Sequence, residues 1–158
     1  MDEEDLKLMH AHWAHIFESA PHKDGVDRET FSLAVVRSIF PTWEPRLLAQ
    51  LFEFVNRSKS GVVTLNEWAN MIENLGSKRG KVRLLYGVCG DKGDPSKIAS
   101  TLNMLSKCWC NKELSEEQLH AILHEHAVYS PEKFVRLLKK QHPEILSAVD
   151  VIKFKPQV

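Results

Sequence analysis

The chain has 158 residues, 43% apolar and 27% charged, with a formal net charge of zero, a composition that fits one globular domain or two small lobes. Seven Gly and seven Pro exclude a low-complexity or collagen-like chain, and no apolar run approaches the roughly 18 residues of a membrane span. Residues 1–76 hold seven Lys/Arg and twelve Asp/Glu while residues 77–158 hold fourteen and nine, an asymmetry too mild to point to nucleic acid.

The pattern reads as helix throughout. The acidic start Asp2-Glu3-Glu4-Asp5 lacks the apolar core of a secretory signal, and residue 2 is not the Gly that myristoylation requires, so neither is expected. Leu6, Met9, Trp13, Ile16 and Phe17 then recur at helical spacing over about 4–18. A break at 19–26 precedes Asp27, an N-cap for a helix near 28–40 that carries Phe31, Val35, Val36 and Ile39 and stops at Pro41. Leu47, Leu48, Leu51, Phe52 and Val55 keep to one face over 43–55. A polar loop follows, and Thr64 caps a helix over 65–75 with Trp68, Met71, Ile72 and Leu75. Gly76 to Gly80 marks a boundary between halves.

The second half repeats the scheme less cleanly. Helices are predicted over 81–89 and 96–109, separated by the turn-rich run Gly90 to Pro95. Ser115 caps a helix bearing Leu119, Ile122 and Leu123, and Ser130-Pro131 opens another with Phe134, Val135, Leu137 and Leu138. After Pro143, Ile145, Leu146, Val149 and Ile152 form a last amphipathic stretch. The spacing of about 35 residues suggests a degenerate internal repeat of helix–loop–helix units.

The strongest motif is the twelve-residue stretch Asn56 to Glu67. Asn56, Ser58, Ser60, Thr64 and Glu67 place side-chain oxygens at positions 1, 3, 5, 9 and 12, Val62 offers a backbone carbonyl at 7, and Gly61 stands at the sharp turn. Val63 at position 8 is suited to a short strand contact, and the aromatic Trp68 follows. This stretch is similar to a calcium-binding EF-hand loop. Its ligand set is weak for calcium, since Glu67 is the single carboxylate and Arg57 and Lys59 add positive charge. A loop kept for shape without metal is the leading reading, and one weakly bound calcium the next.

The other three loops depart further. Gly25-Val26-Asp27 and Phe31 resemble the first loop's end, with Thr30 where the bidentate Glu belongs. Asp91 and Asp94 are suggestive in the third, but Leu102 falls at position 12 if Ile98 is position 8. The fourth, Glu125 to Tyr129, is short and carries no ligand series.

Over nearly its whole length the chain resembles the EF-hand superfamily. Ser77-Lys78-Arg79-Gly80 leading into Lys81-Val82-Arg83-Leu84-Leu85-Tyr86 looks like the linker and third entering helix of neuronal calcium sensor-like proteins. Similar degenerate modules precede TLDc domains and some ubiquitin-specific protease domains. The resemblance implies an all-α fold of two lobes, an EF-hand-like pair over 1–76 and a degenerate pair over 77–143, followed by an amphipathic segment over 144–158. Short two-stranded contacts are expected to join Val26 to Val63, and Ile98 to Val128 or Tyr129.

Other chemistry is thinner. His120, His124 and His126 share one predicted helix, and His120 with His124 at i, i+4 suits zinc, yet Cys108 and Cys110 diverge on theirs. Cys89, Cys108 and Cys110 are odd in number and read as reduced thiols of a cytoplasmic protein. No activated-nucleophile turn or glycine-rich phosphate cradle is present, so no enzyme is expected, and a zinc or thiol enzyme is a distant alternative. Trp13, Phe17, Phe52, Trp68, Met71 and Ile72 are expected to border a groove for a partner's amphipathic helix. Residues 144–154 are a candidate to fill such a groove in cis. The expected function is a non-catalytic interaction or regulatory module, with a one-site calcium sensor as the alternative. The ending Lys155-Pro156-Gln157-Val158 is compatible with a fragment of a longer protein.

Overall fold

A computed structural model describes residues 3–18, 24–90, 92–124 and 128–155, the side chain of Phe17 excepted. These residues form nine helices: α1 (Glu3–Glu18), α2 (Arg28–Ser38), α3 (Pro45–Val55), α4 (Leu65–Asn74), α5 (Lys78–Val88), α6 (Pro95–Cys110), α7 (Glu116–Leu123), α8 (Pro131–Gln141) and α9 (Pro143–Asp150). The fold is all-α. Among the described residues the sole strand-like pairing is an isolated antiparallel bridge between Val26 and Val63. No helix in them is long and apolar enough to cross a membrane.

Local chemistry sets most helix starts. The side chains of Asp27, Thr64, Ser77, Asp94, Ser115 and Ser130 each accept a hydrogen bond from a first-turn backbone N–H. Thr64 with Glu67 and Ser115 with Gln118 close reciprocal capping boxes. Pro45, Pro95, Pro131 and Pro143 occupy first-turn positions, where a missing N–H costs nothing.

Buried side chains from both halves belong to one hydrophobic cluster. In the first half α2 packs on α3, and α4 touches α1 and α3. Phe31, Phe52 and Trp68 meet edge-to-face at the centre, with centroids 5.5 Å (Phe31–Phe52) and 5.8 Å (Phe31–Trp68) apart. In the second half α6 packs on α7 and α9, and α8 on α9. The halves meet where α5 packs on α3 and α4. Gln50 ties that junction, its side-chain amide donating to the Val88 carbonyl and to Thr101 Oγ1, both at 2.9 Å. Aromatic contacts add to it: Phe40 stacks on Trp43 at 3.8 Å, and Trp109 lies 5.9 Å from Trp43.

Three sequence expectations are corrected. The helix expected from residue 81 starts at Lys78, because the Ser77 side chain caps Gly80 N at 3.0 Å. Gly80 is therefore a helical residue and not loop. The strand contact expected at Ile98 is absent, because Ile98 lies inside α6, which opens at the Asp94 cap. Tyr129 N donates instead to the Gly93 carbonyl at 2.8 Å, and Tyr86 Oη donates to the Tyr129 carbonyl at 2.6 Å. The helix expected to carry three histidines ends at Leu123 with His124 as its C-cap; His126 lies outside the described residues.

Gly80 shows how closely α4 and α5 meet. A Cβ there would sit 2.2 Å from the Asn74 carbonyl oxygen. Helix propensity alone favours Ala over Gly by about 1 kcal/mol. We expect Gly80→Ala instead to destabilise the protein, by about 2 kcal/mol or more, because the obstructing atom is backbone. Urea unfolding of the two proteins checks this; a stabilised variant would mean the helices separate readily.

Candidate functional site

The 56–67 loop is built between the end of α3 and the start of α4. Gly61 has φ 88° and Lys59 φ 55°, so the chain turns left-handed at loop positions 4 and 6. Gly accepts this without strain. After the turn, Val63 exchanges two backbone hydrogen bonds with Val26, N to O at 2.9 and 2.8 Å. Gly25 permits this approach, since a Cβ there would meet the Val63 carbonyl oxygen at 2.3 Å.

The structure brings the sequence-predicted ligands Asn56, Ser58, Ser60, Val62, Thr64 and Glu67 together, but they bond to one another. Asn56 is 5% exposed. Its amide is oriented by two unambiguous neighbours: Gly61 N–H donates to its oxygen (3.1 Å), and its nitrogen donates to the Val62 carbonyl (3.0 Å). The same nitrogen lies 3.3 Å from Ser58 Oγ. Ser58 Oγ and Ser60 Oγ are 3.0 Å apart, and Ser60 Oγ donates to the Val62 carbonyl at 2.9 Å. An amide N–H₂ thus faces the oxygens that a cation would otherwise draw together.

Glu67 is committed in the same way. One carboxylate oxygen accepts from Ser58 N at 2.9 Å and the other from Thr64 N at 3.0 Å. Burial works to raise its pKa, but the amide hydrogen bonds from Ser58 and Thr64 outweigh it and hold the carboxyl below its ordinary value. In this arrangement the one carboxylate bridges two backbone amides and Asn56 presents nitrogen to the centre, so a cation would have to displace both.

The residues expected to border a partner groove are placed differently from one another. Phe52, Trp68, Met71 and Ile72 are buried in the core, and Trp13 is partly buried against it; the side chain of Phe17 lies outside the description. Trp68 meets His12 (5.6 Å) and Trp13 (6.2 Å) of α1, and the C-terminal segment reaches the His12 and Trp68 rings. Phe154 lies 5.1 Å from the His12 ring and 6.4 Å from Trp68, centroid to centroid. Lys155 N donates to the Ser38 carbonyl at 2.8 Å. Beneath Phe154, His12 Nδ1 and Trp68 Nε1 are both buried without a hydrogen-bond partner among the described residues. Burial, helped by His15, pushes the His12 pKa down.

The alternative chemistries are spread apart. Burial pushes the Cys89 thiol up to about 12, and it also raises Cys108 and Cys110. A thiolate is therefore disfavoured at each. His120 and His124 have ring centroids 6.4 Å apart. Among the described residues no three His, Cys, Asp or Glu side chains are grouped to hold a metal. Neither family models nor curated proteins match the chain.

Two titrations test these environments. Glu67→Gln sets an amide N–H₂ against one of the two backbone donors, so we expect a loss of about 1–2 kcal/mol at neutral pH. Because the folded pKa lies below the unfolded one, Glu67 stabilises above the unfolded value of about 4.3 and loses this as pH falls through the folded one. Urea unfolding should show the wild-type advantage shrinking below about pH 4; a pH-independent gap would contradict it. His12 is depressed, so its neutral form favours the fold above about 6.5 and its protonation weakens the fold as pH falls below that value. In Phe154→Ala, water reaches the ring, and NMR should show the His12 pKa rising toward its ordinary value.

Proposed function

We propose that this chain is a non-catalytic, EF-hand-like interaction or regulatory module of the cytoplasm that binds an amphipathic helical segment of a partner protein. In this reading two lobes of paired helix–loop–helix units, 1–76 and 77–143, carry the binding surface, and 144–158 regulates it. The observation that carries it is the seating of Phe154. The partly buried aromatic side chain of the C-terminal segment packs on α1 and α4, against His12 and Trp68. That is the contact an aromatic anchor of a partner helix makes in a groove. The two unpartnered atoms below it, His12 Nδ1 and Trp68 Nε1, leave this contact imperfectly satisfied by the chain's own tail. A partner group that reached His12 Nδ1 or Trp68 Nε1 would add a hydrogen bond that the tail does not make.

In this reading the module works without calcium, the amide and hydroxyl groups of the 56–67 loop bonding to one another. The raised cysteine thiols weigh against the thiol-enzyme alternative. The second reading, a sensor with one weak site at 56–67, is favoured by Gly61 at the left-handed turn and Glu67 at position 12. Calcium would have to pull Glu67 from two amides and turn Asn56 over.

Phe154→Ala should uncover this aromatic face and raise binding of a hydrophobic dye while circular dichroism keeps the helical signal; unchanged dye binding would remove the tail's role. This variant spares α9, which packs on α5, α6 and α8. In a calcium titration with a magnesium control, the amides of Gly61 and Glu67 should stay still up to about 1 mM. Shifts there that saturate below that concentration would establish the sensor instead.

A further inference from the structure

An open groove of about 620 Å³ runs between the end of α3, the turn at 57–59, the end of α5 and the start of α6. It shares no residue with the Phe154 contact. Phe54, partly buried, supplies its apolar surface above the buried Val88, and Arg57, Lys59, Lys92 and Lys97 also line it. Gly87 lines it as well: a Cβ there would meet the Phe54 ring at 2.4 Å, so the ring takes the space of a side chain. The Arg57 guanidinium lies 5.6 Å from the centroid of that ring.

The charges do not cancel. Glu53 is the one lining carboxylate among the described residues, and Arg28 (3.4 Å) and Lys59 (4.0 Å) already reach it. Asp94, the N-cap at the start of α6, accepts from Ser96 N at 3.2 Å and does not line the groove. Arg57, Lys92 and Lys97 make no ion pair with a described carboxylate. Two turns far apart in sequence thus place Arg57, Lys59, Lys92 and Lys97 beside a single carboxylate, Glu53, among the described lining residues.

We propose that this groove binds an acidic peptide segment of a partner protein, with one apolar side chain of that segment on Phe54. A compact phosphate is favoured by converging backbone N–H donors or a bidentate guanidinium fork. Here the cations line an open groove, and the amide of Gln50 is spent on Val88 and Thr101. An extended anion with spaced carboxylates meets them better. Such a site gains association rate and specificity from charge, and its affinity falls with salt. The proposal does not depend on the reading of the Phe154 contact.

The test is fluorescence anisotropy on the full chain, using a short labelled peptide of Asp and Glu with one central Leu. Saturable binding is expected, weakened by salt, weakened about tenfold or more by Lys92→Glu with Lys97→Glu, and weakened by replacing the Leu with Ser. Lys139→Glu with Lys140→Glu, exposed at the end of α8, should change affinity less than about twofold. Circular dichroism verifies that both variants stay folded, and Lys92→Gln with Lys97→Gln repeats the measurement without charge reversal. Equal losses in the two reversal variants would overturn the proposal in favour of unspecific attraction. Absence of peptide binding would overturn it too. So would stronger binding to phosphatidylserine vesicles or to pyrophosphate than to the peptide, if lost on Lys92→Glu with Lys97→Glu.

Discussion

The crossing of two backbone segments at Val26 and Val63 organises the first half of the molecule. Both residues are fully buried, and their N–H and C=O groups have no water to turn to. Each group left unpaired there would cost about 1–3 kcal/mol, so the two reciprocal hydrogen bonds fix how the 24–27 segment sits on the 56–67 loop. That choice sets where α2 and α4 begin, one residue after the Asp27 cap and one after the Thr64 cap. It brings Phe31 against Trp68 at the centre of the core. The Gly at position 25 is the steric condition for the whole arrangement.

Where this crossing joins two loops, the C-terminal segment joins two halves. Lys81 Nζ donates to the Asp150 carbonyl at 3.0 Å, a cation at the negative end of α9. From there the chain leaves the second half and reaches α1, α2 and α4 through Phe154 and Lys155. The exposed ion pairs, such as Lys107–Glu113 at 2.9 Å, add little beside these contacts, because solvent screens them. The binding surfaces proposed for the molecule follow from this division. One lies where its own tail sits, and the other where its halves abut.

Helix positions were legible from apolar spacing and from caps, because both are local: Asp27, Thr64, Ser115 and Ser130 each declared a start that the backbone bears out. Ser77 was passed over because the glycines around it argue for a break. What outweighs them is Gly80, whose missing side chain admits the Asn74 carbonyl. At Ile98 the opposite holds: a loop pattern carried across 94–98 conflicts with the Asp94-Pro95 helix start. The six oxygen-bearing positions of the 56–67 loop were legible as a set. Asn56 was not legible as a nitrogen donor, because its residue type carries both atoms and the hydrogen-bonding neighbours decide between them. Phe154 on Trp68, and the four cations around Phe54, are products of tertiary approach, and no spacing in the sequence signals them.

The placement of Phe154 also bears on how the molecule is made. Trp68 is complete in the chain long before Phe154 is added, so a nascent chain on the ribosome carries an uncovered aromatic face through the synthesis of the entire second half. The pairing of such distant residues is slow to form in any case, since the intervening loop must close first. During that interval the aromatic face is open to any apolar segment, native or not.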